Sequence, residues 1–283
     1  MIASTPLPDI IIEPIVRMAL AEDLGRAGDV TTAATIAPDI MVNWVIRARQ
    51  PGVIAGLDAA SLALRLIDIS ASFTIVSPDG SVVVAGETIA HVSGKAQSLL
   101  IAERVMLNFI GQLSGIATLT ALFVAQVAGT KAKIACTRKT SPGMRALAKK
   151  AVRLGGGSNH RFALDDAILI KDNHVAAAGG VAQALTRAKA NAGHLLPIEI
   201  EVDSLAQLEQ ALPFHPTCIM LDNFSIADLS IAVARVNGAV LLEASGGVNL
   251  TTVRAIAETG VDIISIGALT HSAPCLDIGL DDH

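Results

Sequence analysis

Residues 137–161, TRKTSPGMRALAKKAVRLGGGSNHR, contain seven Lys and Arg side chains and not one acid. The whole chain has 21 basic and 26 acidic residues, which gives a net charge of −5. A guanidinium group binds a carboxylate through two parallel hydrogen bonds, and a lysine adds a compact positive charge. A basic segment of this kind in an acidic chain predicts a binding site for a small anion.

The two ends of this segment are better candidates for ligand contacts than its middle. Arg138 and Lys139 follow an apolar run directly, His160 and Arg161 follow three glycines, and Lys171 ends the next apolar run. Cations at strand ends beside glycines are typical of ligand sites. The middle of the segment carries four cations at helical spacing, which we interpret as a solvated helix face: Arg145, Lys149, Lys150 and Arg153.

Carboxylates recur at regular spacing further along the chain. Glu201, Asp222 and Glu243 follow one another at intervals of 21 residues, and Ser265 comes 22 residues later. Glu201 and Asp222 could hold a Mg²⁺ that also binds phosphates, or they could bind sugar hydroxyls. The alternative is that they only cap the helices that follow.

Two glycine-containing segments are candidates for phosphate binding. In residues 244–257, ASGGVNLTTVRAIA, two glycines lie between a predicted strand and a predicted helix, whose N-terminus would favour an anion. Residues 265–272, SIGALTHS, provide the neighbouring loop with Gly267 and His271. An ordinary surface position is an equal alternative for His271.

A scaffold in which strand ends meet would bring these groups together. Short apolar runs alternate with helix-like stretches, at 132–140, 165–174, 197–203, 218–223, 240–247 and 262–268. Helix N-caps are predicted at Ser204, Ser225 and Asn249 or Thr251, and helix ends at Gly238 and Gly260. The pattern indicates a parallel α/β barrel or a doubly wound sheet, with the active site at the carboxyl ends of the strands.

The first third of the chain has a different pattern. Residues 41–57 and 72–94 suggest strands with tight turns, including Pro78-Asp79-Gly80. Residues 96–129 predict a long helix that is interrupted near Gly111–Gly115. We therefore expect a domain boundary there. The predicted division is an N-terminal domain of residues 1–112 and a catalytic domain of residues 113–271, with the tail 272–283 packing back on the first.

Composition excludes several classes of protein. Aromatic residues are only 2% of the chain, with no Tyr, and the net charge is acidic, which argues against nucleic-acid binding. No apolar run is long enough to predict a membrane span, and residues 1–14 lack the basic start of a secretory signal. The three cysteines form no Cys-x-x-Cys pair, so neither a disulfide framework nor a zinc site is expected. We expect a cytoplasmic protein.

The combined motifs resemble those of the quinolinate phosphoribosyltransferase family over residues 12–272. The basic segment 137–161 is followed in order by AILIKDNH, IEIEVDSL, IMLDNFS, EASGGVN and ISIGALTHS, and EDLGRAGDVTT and ERVMLNFIGQLSGIAT precede it. The resemblance implies an N-terminal α/β sandwich and a C-terminal open seven-stranded α/β barrel of the type II phosphoribosyltransferase kind. It also implies a homodimer or a higher homo-oligomer.

The resemblance implies a reaction and a set of site residues. The reaction joins quinolinate to phosphoribosyl pyrophosphate with Mg²⁺ and releases pyrophosphate and CO₂. The implied quinolinate contacts are Arg104, which would reach the neighbouring subunit's site, and Thr137, Arg138, Lys139, His160, Arg161 and Lys171. The implied phosphoribosyl pyrophosphate contacts are Lys139, Lys171, Glu201, Asp222, Ser245, Gly246, Gly247, Gly267, Ala268 and His271. The implied catalytic residues are Lys139, Lys171, Glu201 and Asp222, and the last two would also meet the metal, directly or through water or substrate.

Three alternatives remain open from the sequence. A related phosphoribosyltransferase-like protein associated with molybdenum transport shares many of the motifs. A barrel lyase could use Lys171 as a Schiff-base amine. A protein that binds metabolites without turnover could use the same scaffold.

Overall fold

The computed structural model describes residues 5–282, so the first four residues of the segment examined for a secretory signal lie outside it. The helices are α1 (Asp9–Leu24), α2 (Val30–Thr35), α3 (Leu57–Ile67), α4 (Ala96–Gln126), α5 (Arg145–Leu154), α6 (Asp172–Ala178), α7 (Val181–Asn191), α8 (Leu205–Ala211), α9 (Ile226–Val236), α10 (Val253–Glu258) and α11 (Ala268–His271). The strands are β1 (Met41–Ala48), β2 (Gly52–Val53), β3 (Ser72–Ile75), β4 (Val82–Val83), β5 (Thr88–Lys95), β6 (Lys133–Ala135), β7 (Ile168–Ile170), β8 (Ile198–Val202), β9 (Cys218–Asp222), β10 (Leu241–Ser245), β11 (Ile263–Ser265) and β12 (Ile278–Asp281).

The described chain forms two compact units whose bounds differ from the predicted domains. The first unit comprises the described residues up to Ala121, Thr140–Gly156 and the residues from Leu269 onwards. The second unit comprises Leu122–Lys139 and Gly157–Ala268. The basic segment 137–161 is therefore divided, because its middle belongs to the first unit and its two ends to the second.

The first unit is built on an antiparallel sheet of order β12-β1-β5-β3, with a separate β2-β4 pair. The C-terminal strand β12 pairs with β1, with Val45 opposite Asp281. Helices α1 and α3 pack on each other, and α1 buries Ile12, Val16 and Leu20 at a spacing of one helical turn. The predicted turn at Pro78-Asp79-Gly80 is present, with Gly80 at φ +90° and Ser81 N–H donating to Pro78 C=O.

Helix α4 runs without a break through Gly111 and Gly115, so the predicted interruption is wrong. A Cβ at Gly115 would lie 2.0 Å from the Pro274 carbonyl oxygen, and Gly111 C=O accepts a hydrogen bond from Leu276 N–H at 2.9 Å. These glycines let the C-terminal segment approach the helix closely rather than ending it. Helix α4 is also long and apolar enough to cross a membrane, but 61% of its most apolar window is buried within the fold, as in a core helix.

The predicted solvated face of α5 is also wrong for its two lysines. Lys149 is 3% exposed. The Lys150 side chain is 8% exposed and lies 2.7 Å from Asp58 Oδ2 and 3.0 Å from Asp79 Oδ2. Burial raises the pKa of Asp79, and the charge of Lys150 opposes that rise. The acids that match this lysine lie far away in the sequence, so helical spacing alone gave no sign of them.

The second unit is a parallel sheet of order β6-β11-β10-β9-β8-β7, with the connecting helices predicted from the repeat. Its six strands match the predicted runs, and an isolated parallel bridge between Ala135 and Ser158 adds a seventh segment beside β6. Ser204 and Ser225 cap α8 and α9 as predicted. Gly238 and Gly260 follow the ends of α9 and α10 with positive φ. The fold class of an α/β sandwich followed by a barrel-like parallel sheet is confirmed.

One local prediction in this unit is wrong. Helix α10 begins at Val253, so Asn249 and Thr251 are not its N-caps and the two glycines do not lie at its N-terminus. Asn249 Oδ1 instead accepts hydrogen bonds from the backbone N–H groups of Thr251 and Thr252. This side chain stabilises a turn in place of the first helical turn.

Candidate active site

The two arginines at the ends of the basic segment follow two adjacent extended segments of the second unit. Arg138 follows β6, and Arg161 follows the extended segment at Ser158 that bridges to β6. Burial lowers the pKa of Arg161, and the positive charge of Arg138 lowers it further. The Nε atoms of both are buried and have no hydrogen-bond partner among residues 5–282. Two neighbouring guanidinium groups with unused donors favour an anionic ligand.

The other groups at this end of the segment lie in two loops. Thr137 Oγ1 accepts a hydrogen bond from Lys139 N–H at 3.0 Å, and the Lys139 side chain is exposed. Arg161 Nη1 donates to the carbonyl oxygen of Ala167 at 2.9 Å. These backbone contacts fix the direction in which the cations leave the sheet.

Lys171 and Glu201 form an ion pair at the carboxyl ends of β7 and β8. The distance from Nζ to Oε2 is 2.9 Å, and the side chains are 49% and 12% exposed. The register pairs Ile170 with Ile200, so Lys171 and Glu201 are the next residues along both strands. An accessible cation held against a carboxylate can exchange that partner for a phosphate oxygen.

Asp222 and the glycine loop are linked through Asn223. Asp222 ends β9 in register with Ser245, and Asn223 Nδ2 donates to Asp222 Oδ2 at 2.6 Å. Gly246 has φ +97°, and a Cβ there would lie 2.2 Å from Asn223 Oδ1. Only glycine fits this position, so the backbone of Gly246 and Gly247 is left exposed at the strand ends.

The remaining predicted residues are distributed between the two units. Gly267 and Ala268 follow β11 in the second unit, whereas Arg104 and His271 belong to the first. Arg104 is exposed on α4, and its charge partly offsets the effect of burial, which raises the pKa of Glu103. His271 is exposed, with Nδ1 2.6 Å from Ser272 Oγ. The structure thus groups the strand-end residues of the second unit, from Thr137 to Ala268.

Two glutamates next to His160, the buried Glu243 and the largely buried Glu199, were not predicted as site residues. His160 Nε2 lies 2.9 Å from Glu199 Oε2 and 3.7 Å from Glu243 Oε1. Burial and the neighbouring Glu199 raise the pKa of Glu243 to about 7, against the opposing effects of His160 and Ser265. Burial, helped by the two carboxylates, raises the pKa of Cys218 beside them. The sequence held one signal for each: Glu243 falls on the 21-residue repeat, and Glu199 shares a strand face with Glu201.

The predicted metal pair offers only oxygen ligands, which suit Mg²⁺. Glu201 and Asp222 lie on the neighbouring strands β8 and β9, at their carboxyl ends. The geometry of the described residues brings together a different trio whose ligand atoms lie within 4.8 Å of one another: His160, Glu199 and Glu243.

Comparison with known families gives two matches that cover most of the chain. Residues 29–114 match the N-terminal domain of quinolinate phosphoribosyl transferase, and residues 116–281 match its C-terminal domain.

Individual relatives agree over nearly the full length. Nicotinate-nucleotide pyrophosphorylase [carboxylating] of Mycobacterium leprae is 48% identical, over 94% of this chain and 95% of that protein. A probable enzyme of the same name from Synechocystis is 40% identical, over 96% and 93%. The solved structure of nicotinate-nucleotide pyrophosphorylase from Francisella tularensis superposes with a TM-score of 0.94 at 40% identity and covers 99% of both chains.

Proposed function

The chain belongs to the quinolinate phosphoribosyltransferase family, and from this we infer its reaction. It transfers the phosphoribosyl group of phosphoribosyl pyrophosphate to quinolinate and releases CO₂ and pyrophosphate. The product is nicotinate mononucleotide, an intermediate in the de novo synthesis of NAD. The enzyme is a decarboxylating pentosyltransferase.

The observation that carries this function is the pair formed by Arg138 and Arg161. Quinolinate has two carboxylates on adjacent ring carbons, and two neighbouring guanidinium groups with unused Nε donors match that charge. We assign quinolinate binding to Thr137, Arg138, Lys139, His160, Arg161 and Lys171. The unused Nε donors of Arg138 and Arg161 thus have a reason, because the substrate brings the negative charge.

The chemistry needs charge stabilisation more than proton transfer. The quinolinate nitrogen attacks C1 of the ribose as pyrophosphate leaves, and the bond to pyrophosphate breaks with its electrons. The alkylated ring is then cationic and accepts the electrons of the adjacent carbon–carboxylate bond as CO₂ departs. That ring carbon finally takes up a proton. Lys139 and Lys171 supply positive charge beside the reacting groups, and no Ser-His-Asp arrangement is required.

The phosphoribosyl pyrophosphate site is proposed at the glycine loops. The exposed backbone of Gly246 and Gly247 supports this assignment, with Ser245 before them and with Gly267 and Ala268 of the neighbouring loop. Glu201 and Asp222 would meet the ribose hydroxyls and hold Mg²⁺, directly or through water. The ion would neutralise charge on the leaving pyrophosphate. His271 completes the proposed set.

The assembly is proposed to be a homodimer or a larger homo-oligomer in the cytoplasm, with Arg104 reaching the site of the neighbouring subunit. Two features of the first unit support an interface there. Arg104 is exposed on α4, and α1 exposes Ile10, Ile11 and Met18 at 79%, 54% and 57%. Exposed apolar side chains on one helix favour association.

The ion pair of Lys171 argues against the lyase alternative. A Schiff-base lysine is activated when its amine is desolvated or lies beside another cation. Lys171 is instead 49% exposed and contacts a carboxylate.

The function is tested by mixing purified protein with quinolinate, phosphoribosyl pyrophosphate and Mg²⁺ and measuring nicotinate mononucleotide and released CO₂. We expect turnover only when all three components are present. Binding of the phosphoribosyl donor without turnover of quinolinate would favour the molybdenum-associated relative or a binding protein instead. Equal turnover of nicotinate would contradict the dicarboxylate site.

A further inference from the structure

We propose that Glu199 and Glu243 are positioning residues for quinolinate: they hold His160, and His160 holds the backbone of Arg161 in the Arg138–Arg161 pair. The proposal rests on the proposed function, because it assigns these glutamates to the same site. It also adds a positioning role to the place of His160 in the proposed quinolinate site.

The first step is the buried contact between the two carboxylates and the imidazole. The Glu199 side chain is 13% exposed, that of Glu243 is 3% exposed and that of His160 is 11% exposed. Strands β8 and β10 lie on either side of β9, so the carboxylates reach Nε2 from two strands. Two carboxylates this close are costly to bury unless a proton or a cation lies between them.

The second step is the protonation state of the ring. The backbone N–H of Arg161 donates to His160 Nδ1 at 2.8 Å. A ring nitrogen that accepts a hydrogen bond carries no proton, so the proton of the neutral ring is on Nε2 and faces the carboxylates. A metal ion would need the lone pair that this proton occupies. The trio of His160, Glu199 and Glu243 is therefore built around a proton, although its spacing would suit a metal.

The third step connects the trio to the substrate. The Arg161 N–H is held through His160, and the Arg161 guanidinium is near enough to Arg138 for the two charges to interact. The charge of Glu199 also favours the charged form of that guanidinium. The chain before Arg161 is fixed at Ser158, which pairs with β6 through two backbone hydrogen bonds. The imidazole and its carboxylates extend this support to the backbone of Arg161, three residues further on.

The principal experiment is the steady-state kinetics of Glu243→Gln at pH 8, above the raised pKa of Glu243, where the substitution removes the charge and keeps the side-chain shape. We expect KM for quinolinate to rise about tenfold, because His160 loses a nearby negative charge that holds its Nε2 side, with kcat and KM for phosphoribosyl pyrophosphate changed less than about twofold. Glu209→Gln is the matched control, because Glu209 is an exposed glutamate paired with Arg235 on the same unit. A parallel rise of both KM values would show a merely structural role and overturn the proposal.

A second pair of variants tests separately the two contacts of His160, one with the carboxylates and one with the Arg161 N–H. Asn at position 160 has an oxygen placed to accept the Arg161 N–H but is too short to reach Glu243, whereas Gln reaches the carboxylates and loses the acceptor. We expect His160→Asn and His160→Gln each to raise KM for quinolinate. In the His160→Asn background, Glu243→Gln should raise KM for quinolinate by less than about a further twofold. Full additivity of the two changes would contradict the proposed connection.

The third measurement needs no activity. The ¹⁵N chemical shifts of the histidine side chains, with His160→Asn used for assignment, should show an Nε2–H tautomer for His160. An Nδ1–H tautomer would overturn the proposal even if Glu243→Gln fails to fold. A wild-type protein that does not turn over quinolinate would instead refute the proposed function, so the two failures are distinguishable.

Discussion

The middle of the basic segment and its two ends differ in how their positive charges are paired. In the first unit, Lys150 of α5 is buried and matched by two acids, Asp58 and Asp79. In the second unit, Arg138 and Arg161 have buried Nε atoms that no described residue satisfies. A cation that is fully paired within the protein stabilises the fold, and a cation that is left unmatched is available to a ligand. Position in the fold, not density of charge in the sequence, separates the two roles.

The largest effect is expected from removing one of the unmatched cations. Arg138→Ala should weaken quinolinate binding by at least about 100-fold, because two charge-assisted hydrogen bonds of about 1.5–3 kcal/mol each are lost. The thermal midpoint should not fall, since a repulsion with Arg161 is relieved. Isothermal titration calorimetry of quinolinate provides the test, and an unchanged affinity would remove Arg138 from the site.

Removing the matched cation should have the reverse outcome. Lys150→Met leaves Asp58 and Asp79 buried without their cation, and we expect the free energy of unfolding to fall by about 3 kcal/mol. Quinolinate affinity should stay within about twofold. Urea denaturation measures the first quantity and calorimetry the second.

The control for this pair is the variant that neutralises all three groups. Lys150→Met combined with Asp58→Asn and Asp79→Asn should recover most of the lost stability, because no unpaired charge remains. If the single variant is as stable as the wild type, the lysine is not the structural cation that its burial indicates.

The trio of His160, Glu199 and Glu243 predicts that the free energy of unfolding depends on pH. The folded pKa of Glu243 is about 7, above the value of 4.5 expected when unfolded, so the folded state holds the proton more tightly. The stabilising contribution is complete below pH 4.5 and is lost as the pH rises to about 7. Relative to Glu243→Gln, the wild type should therefore lose on the order of 2 kcal/mol between pH 4.5 and 8. Denaturation of both proteins across that range measures it, and a constant difference would contradict the assignment.

The smallest effect is expected at Arg153, an exposed cation on α5, the helix that also carries Lys150. Arg153 is exposed at the end of α5. Arg153→Gln should change the free energy of unfolding by less than about 0.5 kcal/mol and leave quinolinate affinity unchanged. A large loss in either measurement would show that burial is not what separates the roles of the basic residues.

The sequence predicted best where a local pattern repeats. The 21-residue spacing placed Glu201 and Asp222 at strand ends, because a strand and its helix form a unit of nearly constant length. The next residue on that spacing, Glu243, lies in the middle of β10 instead. Ser204 and Ser225 cap their helices as their local spacing predicted.

Three of the failures share one cause, which is a tertiary neighbour far away in the sequence. Gly111 and Gly115 suggested a helix break, yet they serve the close approach of residues 274–276. The spacing of Lys150 suggested a solvated face, because its partners Asp58 and Asp79 lie in a remote helix and a remote turn. The sequence did not predict a site role for Glu199 and Glu243, because their partner His160 lies in a loop far away in the sequence.

The most direct measurement of the central claim is the affinity of the unmodified protein for quinolinate and for nicotinate, compared by calorimetry in the same buffer. Nicotinate keeps the ring and one carboxylate, so it can engage only part of the Arg138–Arg161 pair. We predict that quinolinate binds at least about 100-fold more tightly, as two carboxylates on two guanidinium groups require. Equal affinities would contradict the account, because Arg138 and Arg161 would then not bind the second carboxylate of quinolinate.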